Sequence, residues 1–597
     1  MKFSTLSALA AVVLPAVVSA QLTGKVGPLT SRASKATKVC NVLDYGGKAS
    51  KTADLGPALT SAFAACKTGG TVYVPPGDYG MTTWVTLSGG SAWALKLDGI
   101  IYRVNGGDGN MIMIKHTTDF ELYSSTSAGA IQGYGYELRK ASQSGGARLL
   151  RLYDATNWSV HDIALVDAPS FHFSIDTCTN GEVYNMIIRG GNKGGLDGID
   201  VWGTNIWIHD VEVTNKDECV TVKNPSKNLL IEDIYCNSSG GCGMGSLGAD
   251  TDISNIVYNN VYTYGSNQMY MFKSNGGSGT VSNCQFNNFI GRSNAYSLNI
   301  NAAWPQASKA AGNGVIYENL SFNNWKGTAS NTKARGPINL LCSATAPCTN
   351  ITITDFAIGT ETGNTQIAVC QNAYGSGGCL KPDTGSPSPY TTTSTLASIP
   401  TGYAAATMPQ DLATPFPLTE SIPIPTIPAS FYPGRKPITA LMSGGAASHS
   451  AISTKAKIIA SSSTASSSSV AATSTPIAYS SVAATSTPIA YSSVVATPST
   501  KSTYSKAPTS TAVSSKTTLL TKVSSSAPAT SAKPATTTAV SSSDVNDYSS
   551  TSSVAPVVSS ISPVSSVAPV VSSVTPIAPI PTEPADDEGG ADDECEI

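Results

Sequence analysis

The chain has 597 residues, with 36 Lys and Arg against 39 Asp and Glu and a net charge of −3, so no basic excess exists to neutralise phosphates and no nucleic-acid partner is expected. Up to about residue 440 the composition is rich in Gly, Asn, Asp, aromatic and β-branched residues, enough for one large core or two ordinary ones. Beyond that point Ser, Thr, Ala, Pro and Val take over.

In chain order, residues 1–20 carry one Lys and an apolar run from Leu6 to Val18 that ends in Val18-Ser19-Ala20, the pattern of a signal peptide. The mature chain is expected to start near Gln21. No later stretch approaches the ~18 uninterrupted apolar residues that span a bilayer, and the acidic C-terminus argues against a lipid anchor. A secreted, extracellular protein without a membrane partner is therefore expected.

Twelve cysteines in an exported chain should mostly be oxidised. Sequence proximity suggests Cys40–Cys66, Cys219–Cys236, Cys342–Cys348 and Cys370–Cys379, although connectivity cannot be deduced from sequence alone. Cys178, Cys242, Cys284 and Cys595 stay unassigned. No C-x-x-C pair or His cluster has metal-site spacing, so neither a metal nor another cofactor is expected. Sequons at Asn157, Asn237, Asn319 and Asn350 fit an exported glycoprotein.

Residues 55–66 form the one plausible amphipathic helix, followed by an apolar strand and a Pro-Gly turn. The helix reads as a cap on the N-terminal end of a strand-rich region, clamped by Cys40–Cys66. Within that region an Asp or Asn before an apolar residue recurs in short β-branched runs at Asp119, Asp162, Asn185, Asp210, Asp233, Asn260, Asn288, Asn319 and Asp355. From Asp162 onward the intervals are 23, 25, 23, 27, 28, 31 and 36 residues. Such a period, with apolar/polar alternation and no helical pattern between, predicts an all-β solenoid, a parallel β-helix over 21–440.

Residues one period apart should stack on one face. Asp197, Asp200, Asp217 and Glu218 then crowd one patch, flanked by Gly241 and Gly243 and by the segment holding Lys273. Crowded carboxylates raise one another's pKa, which suits glycoside hydrolysis, where one acid must be neutral and another ionised. Glycines beside the acids would leave room for a sugar.

These residues resemble the pectin-degrading glycoside hydrolases, in which N-T-D, D-D, G-H-G and R-I-K occur in that order. This chain offers G-L-D at 195–197, D-E at 217–218, G-C-G at 241–243 and M-F-K at 271–273. With KVGPLTS, GGLDGIDVWG, NKDECVTVK and SIPIPTIPASFYPG, the whole of 21–440 looks like the fungal rhamnogalacturonase branch of glycoside hydrolase family 28. The resemblance implies a right-handed, single-stranded β-helix acting as a monomer on rhamnogalacturonan I of pectin. It would cut the galacturonic acid–α-1,2–rhamnose bond, endo-acting and with inversion, without a metal. It makes Asp217 the general acid and Asp197 with Glu218 the activators of water. Lys273 matches a cationic position that meets a substrate carboxylate, and Arg292 stands where several rhamnogalacturonases have a His, so that either Arg292 takes its place as a substrate contact or that His is dispensable.

Plainer readings exist. Asp200, three residues after Asp197, reads as a turn cap, Cys242 as buried or bonded, and His209 as structural. A polygalacturonase would want the missing His and Arg; a lyase would release an unsaturated uronide; a wall-bound adhesin would not need the Asp217-Glu218 pair. Residues 441–580, with VAATSTPIAYSS duplicated at 470–481 and 482–493, read as a disordered O-glycosylated stalk, and 581–597 as a solvated acidic tail.

Overall fold

The recurring Asp and Asn residues mark corners. A computed structural model of the protein describes residues 22–435, apart from 144, 331–335, 362, 364 and 397–403. The signal peptide, the stalk, the acidic tail and Cys595 lie outside the described residues. Strands pair in parallel, each with the strand one coil on, as in Phe173–Arg189 with Ile199–Thr214 and that strand with Ser226–Asn237, building a parallel β-helix. A long strand such as Ile199–Thr214 bends twice, at Asn205 (φ 57°) and Asp210 (φ 52°). Left-handed backbone costs most residues about 1–2 kcal/mol, and Asn and Asp tolerate it best.

Each coil thus has two such corners, and they stack into two columns. In one, Asn180 donates to Asn157 at 3.0 Å, Asn205 to Asn180 at 2.8 Å, Asn255 to Asn228 at 3.0 Å and Asn319 to Asn283 at 3.3 Å. In the other, Asn260 donates to Asp233 at 3.0 Å and Asn324 to Asn288 at 2.8 Å. This corrects the expected series. Asp119 falls opposite Asn157 in the first column, Asn319 belongs there too, and Asn324 occupies the place above Asn288. Both columns carry Asx residues of like backbone conformation, so spacing alone could not separate them.

Between corners, alternate residues point inward. Val201, Ile206, Ile208, Val211 and Val213 are fully buried, as are their counterparts in neighbouring coils, which fills the bore with stacked aliphatic and aromatic side chains. The helix Gly56–Cys66 closes the N-terminal end, burying Leu59, Ala62 and Phe63, with the Phe63 ring edge-on to Trp93 at 4.8 Å and Cys66 bonded to Cys40. At the other end the antiparallel strand Thr391–Leu396 covers the exposed edge of Gln366–Gln371. All four expected disulfides form, and Cys178, Cys242 and Cys284 are buried free thiols. No helix among the described residues is long and apolar enough to cross a membrane.

Two outer segments lie along the coils. Residues 22–35 run over one face, where Arg32 pairs with Glu121 and Thr30 with Asp119. Residues 404–435 lie over another, where Asp411 accepts from Tyr235 (2.6 Å), Tyr262 (2.8 Å) and Arg292 (2.8 Å), and Ile422 joins Ala130, Ala164 and Val166.

One expected glycosylation site does not survive this packing. Asn237 is fully buried, its amide nitrogen donating to the Gln410 carbonyl at 3.0 Å and its oxygen accepting from the Leu412 N–H at 3.4 Å. A glycan there has no room beneath the 404–435 segment. Asn319 and Asn350 are exposed and Asn157 half-buried. Glycopeptide mapping of the secreted protein is expected to find Asn237 bare; a glycan on it would contradict this packing.

Candidate active site

Two consecutive coils bring the acids together, and the next two extend the face they lie on. Asp200 lies opposite Thr221, Glu218 opposite Gly241, and Gly243 opposite Met271, so the strands Ile199–Thr214, Glu218–Val222, Gly241–Leu247 and Tyr270–Ser274 form one continuous face. Carboxylate oxygens of Asp197, Asp217 and Glu218 lie within 4.8 Å of one another. The stacking inferred from spacing therefore places the two aspartates on the same side of the cylinder.

Backbone bonds fix each acid. The Asp197 carbonyl accepts from the His172 backbone N–H at 2.9 Å and faces the His172 Nδ1 at 3.0 Å, while the His172 Nε2 accepts from the Ala168 N–H at 3.3 Å. His172 is fully buried, and burial pulls its imidazole down to about 4, leaving it neutral with the proton on Nδ1. Asp217 accepts from the Glu218 N–H at 2.9 Å and from the Gly195 N–H, and its own carbonyl accepts from the Gly240 N–H at 2.6 Å. The Asn215 side chain ties the turn, donating to the Leu196 carbonyl at 2.7 Å and to that of Glu218 at 3.1 Å.

The charges around the cluster differ from acid to acid. Burial, then the Glu218 charge, pushes the Asp217 carboxyl well above the usual range. Burial and the three neighbouring carboxylates do the same to Asp197. Burial works upward on Glu218 as well, but Lys273, ion-paired with it, and Lys223 outweigh that and hold Glu218 well below the usual range. The result is a neutral acid beside an ionised carboxylate, the combination that proton transfer to one group and from another requires.

Lys223 was not singled out by sequence. Its ammonium lies 3.2 Å from Asp200 and 3.7 Å from Asp197, and the 23-residue interval from Asp200 to Lys223, one coil, was the available signal. Asp200 is correspondingly not a turn cap: it is a buried strand residue paired with Lys223. With Lys223 and Lys273 already offsetting the carboxylates, the donor set does not call for a cation. Cys219, Cys236 and Cys242 also cluster, but two of them form a disulfide and are not thiolate ligands.

Three candidate substrate contacts are placed differently from expectation. Gly241 and Gly243 are buried beneath the next coil rather than open to a sugar. A Cβ on Gly241 would meet the Gln268 carbonyl oxygen at 1.9 Å, and one on Gly243 would lie 3.2 Å from that of Met271, so coil packing is what selects glycine here. The Arg292 guanidinium pairs with Asp411 and sits over the Tyr264 ring at 4.8 Å, securing the 404–435 segment. His209 is structural, as expected, bonded to Asp210 at 2.9 Å and stacked on Tyr184 at 5.3 Å.

Residues 84–379 match the model of a family described as glycosyl hydrolases family 28. The chain is 64% identical over 442 residues to a Neosartorya fischeri protein named "Probable rhamnogalacturonase B", covering 74% of this chain and 85% of that one. To rhamnogalacturonase A of Aspergillus aculeatus it is 63% identical over 429 residues, covering 72% of this chain and 97% of that one. Among solved structures, the endo-xylogalacturonan hydrolase of Aspergillus tubingensis is similar at 25% identity with a TM-score of 0.49, covering 54% of this chain and 93% of that one.

Proposed function

Since the chain belongs to glycosyl hydrolases family 28, we propose that it is a secreted, monomeric hydrolase of the rhamnogalacturonan I backbone of pectin, cutting the galacturonic acid–α-1,2–rhamnose bond within the chain and with inversion. The observation that carries the mechanism is the neutral Asp217 beside the ionised Glu218. Asp217 gives its proton to the leaving glycosidic oxygen. The proton of the attacking water goes to the Glu218–Asp197 pair, of which Glu218 supplies the negative charge. Lys273 keeps that charge available and presents an ammonium to a uronate. Polymer identity follows from the relatives' names and from the two lysines, which suit an anionic sugar; four disulfides fit an extracellular workplace.

Product analysis tests the reading. Deacetylated rhamnogalacturonan should yield oligomers with galacturonic acid at the reducing end, released with inverted configuration, while polygalacturonate is left intact. The reverse preference would reassign the substrate, and an unsaturated uronide product would reassign the reaction.

The charges also fix a pH profile. Activity is lost on the acid side as Glu218 takes up a proton, below the usual carboxylate range, and on the alkaline side as Asp217 loses its own, above that range. Lys273→Met removes the largest influence holding Glu218 down. The acid limb of kcat/KM against pH is expected to move up by about one unit or more, with kcat/KM at the optimum falling at least about tenfold. An acid limb left in place would show that Lys273 does not set the Glu218 charge.

A further inference from the structure

On the face that carries the acids, one outward column runs Tyr153, Asp176, Trp202 in successive coils, by the registers Tyr153 to Asp176 and Asp176 to Trp202. The Lys223 N–H donates to the Val201 carbonyl at 2.8 Å, which carries the column one coil further, to Lys223. Ile199 and Val201 are fully buried, so strand alternation turns Asp200 and Trp202 to the same outer side. Asp200 there reaches Lys223 and, through it, Asp197. Trp202 is therefore an outward, half-buried indole on the coil beside the cluster.

An outward Trp can serve only to cover the joints between coils. Trp207 is of that kind, its indole N–H donating to Glu232 at 3.1 Å and its ring 4.0 Å from that of His209, on a different side of the coil. Trp202 differs in sharing its face with the acids. Tyr153 is also half-buried and outward, two coils away, with the Arg151–Asp176 ion pair between. Coils are spaced by about 4.8 Å, roughly the advance of one pyranose along a polymer, so the two rings are separated by roughly one disaccharide.

We propose that Trp202 and Tyr153 are stacking platforms for the 6-deoxy sugars of two consecutive disaccharides, with the sugar on Trp202 adjoining the bond that is cut. A deoxyhexose offers an apolar face and a methyl group to an aromatic ring, whereas a uronate belongs beside the Arg151, Lys223 and Lys273 cations. The column thus matches a strictly alternating polymer better than a homopolymer of uronates. This assignment rests on the function proposed above.

The test uses the full secreted chain and rhamnogalacturonan oligosaccharides of increasing length. Trp202→Ala should lower kcat/KM about tenfold or more at every length, carried by KM more than kcat, with the unfolding temperature unchanged. Trp202→Leu, which keeps apolar volume without the ring, should show the same loss and carries the comparison if the alanine variant folds poorly. Tyr153→Ala should cost about tenfold only on substrates long enough to reach a second disaccharide. Variants of Trp202 within about twofold of the parent, or a Tyr153→Ala loss independent of length, overturn the platforms while leaving the proposed function standing. A parent enzyme that does not cut rhamnogalacturonan overturns both.

Discussion

Asp217→Asn is expected to lower kcat on rhamnogalacturonan by a factor of about 10² to 10⁴ while the protein stays folded. The amide keeps the shape and accepts from the Glu218 N–H as the acid does at 2.9 Å, but it has no acidic proton for the leaving oxygen. Because burial and Glu218 already keep Asp217 neutral, removing its ionisable group does not remove a charge on which the fold depends. Thermal unfolding should therefore be little changed. The discriminating measurements are single-turnover hydrolysis and the alkaline limb of the pH profile, which should flatten in any residual activity once the titrating acid is gone. Ordinary turnover by this variant would take the acid role away from Asp217.

Gly241→Ala is expected to cost stability on a larger scale than any other single-methyl change near the site. Gly241 has φ +92°, in the left-handed region, and the added Cβ would fall 1.9 Å from the Gln268 carbonyl oxygen, a backbone atom that cannot move without shifting its whole coil. Backbone strain of about 1–3 kcal/mol adds to overpacking of similar size, so a loss of at least about 3 kcal/mol is expected. Gly241 also lies opposite Glu218, so displacement of its coil is transmitted to the carboxylate cluster and activity should fall with stability. Gly243→Ala, whose nearest atom would be 3.2 Å away, supplies the contrast and should cost clearly less. Denaturant unfolding of the two variants side by side decides the matter; equal stability would mean that room for the next coil is not what holds glycine at 241.

Much of the fold was legible because its signal is redundant. The Asp and Asn corners repeat in every coil, and the left-handed backbone they adopt excludes most other residues, so a chain of anchors survives several insertions. The same redundancy hid the assignment of Asp119 and Asn319, since two columns use the same residue type. Asp197, Asp217 and Glu218 could be brought together from the period alone because parallel register in a solenoid is a matter of counting. Lys223 lies one period from Asp200 and was open to the same counting, whereas His172 was not, since it holds a backbone carbonyl rather than a charge. Arg292 and Asn237 were misread for a common reason. Both lie under residues 404–435, a segment without a repeat whose docking place leaves no trace in spacing.

That segment has a mechanical meaning for the molecule. A stack in which every rung touches only the rungs above and below should melt piecemeal, fraying from whichever end is weaker. Residues 404–435 instead bind rungs far apart at once, from Gln132 and Arg139 near one end to Asp233, Tyr262 and Arg292 further along. Loosening any one rung then strains a tie shared by the others. The stretch that carries the chemistry is thereby coupled to the rest of the column, and its unfolding becomes a single collective event.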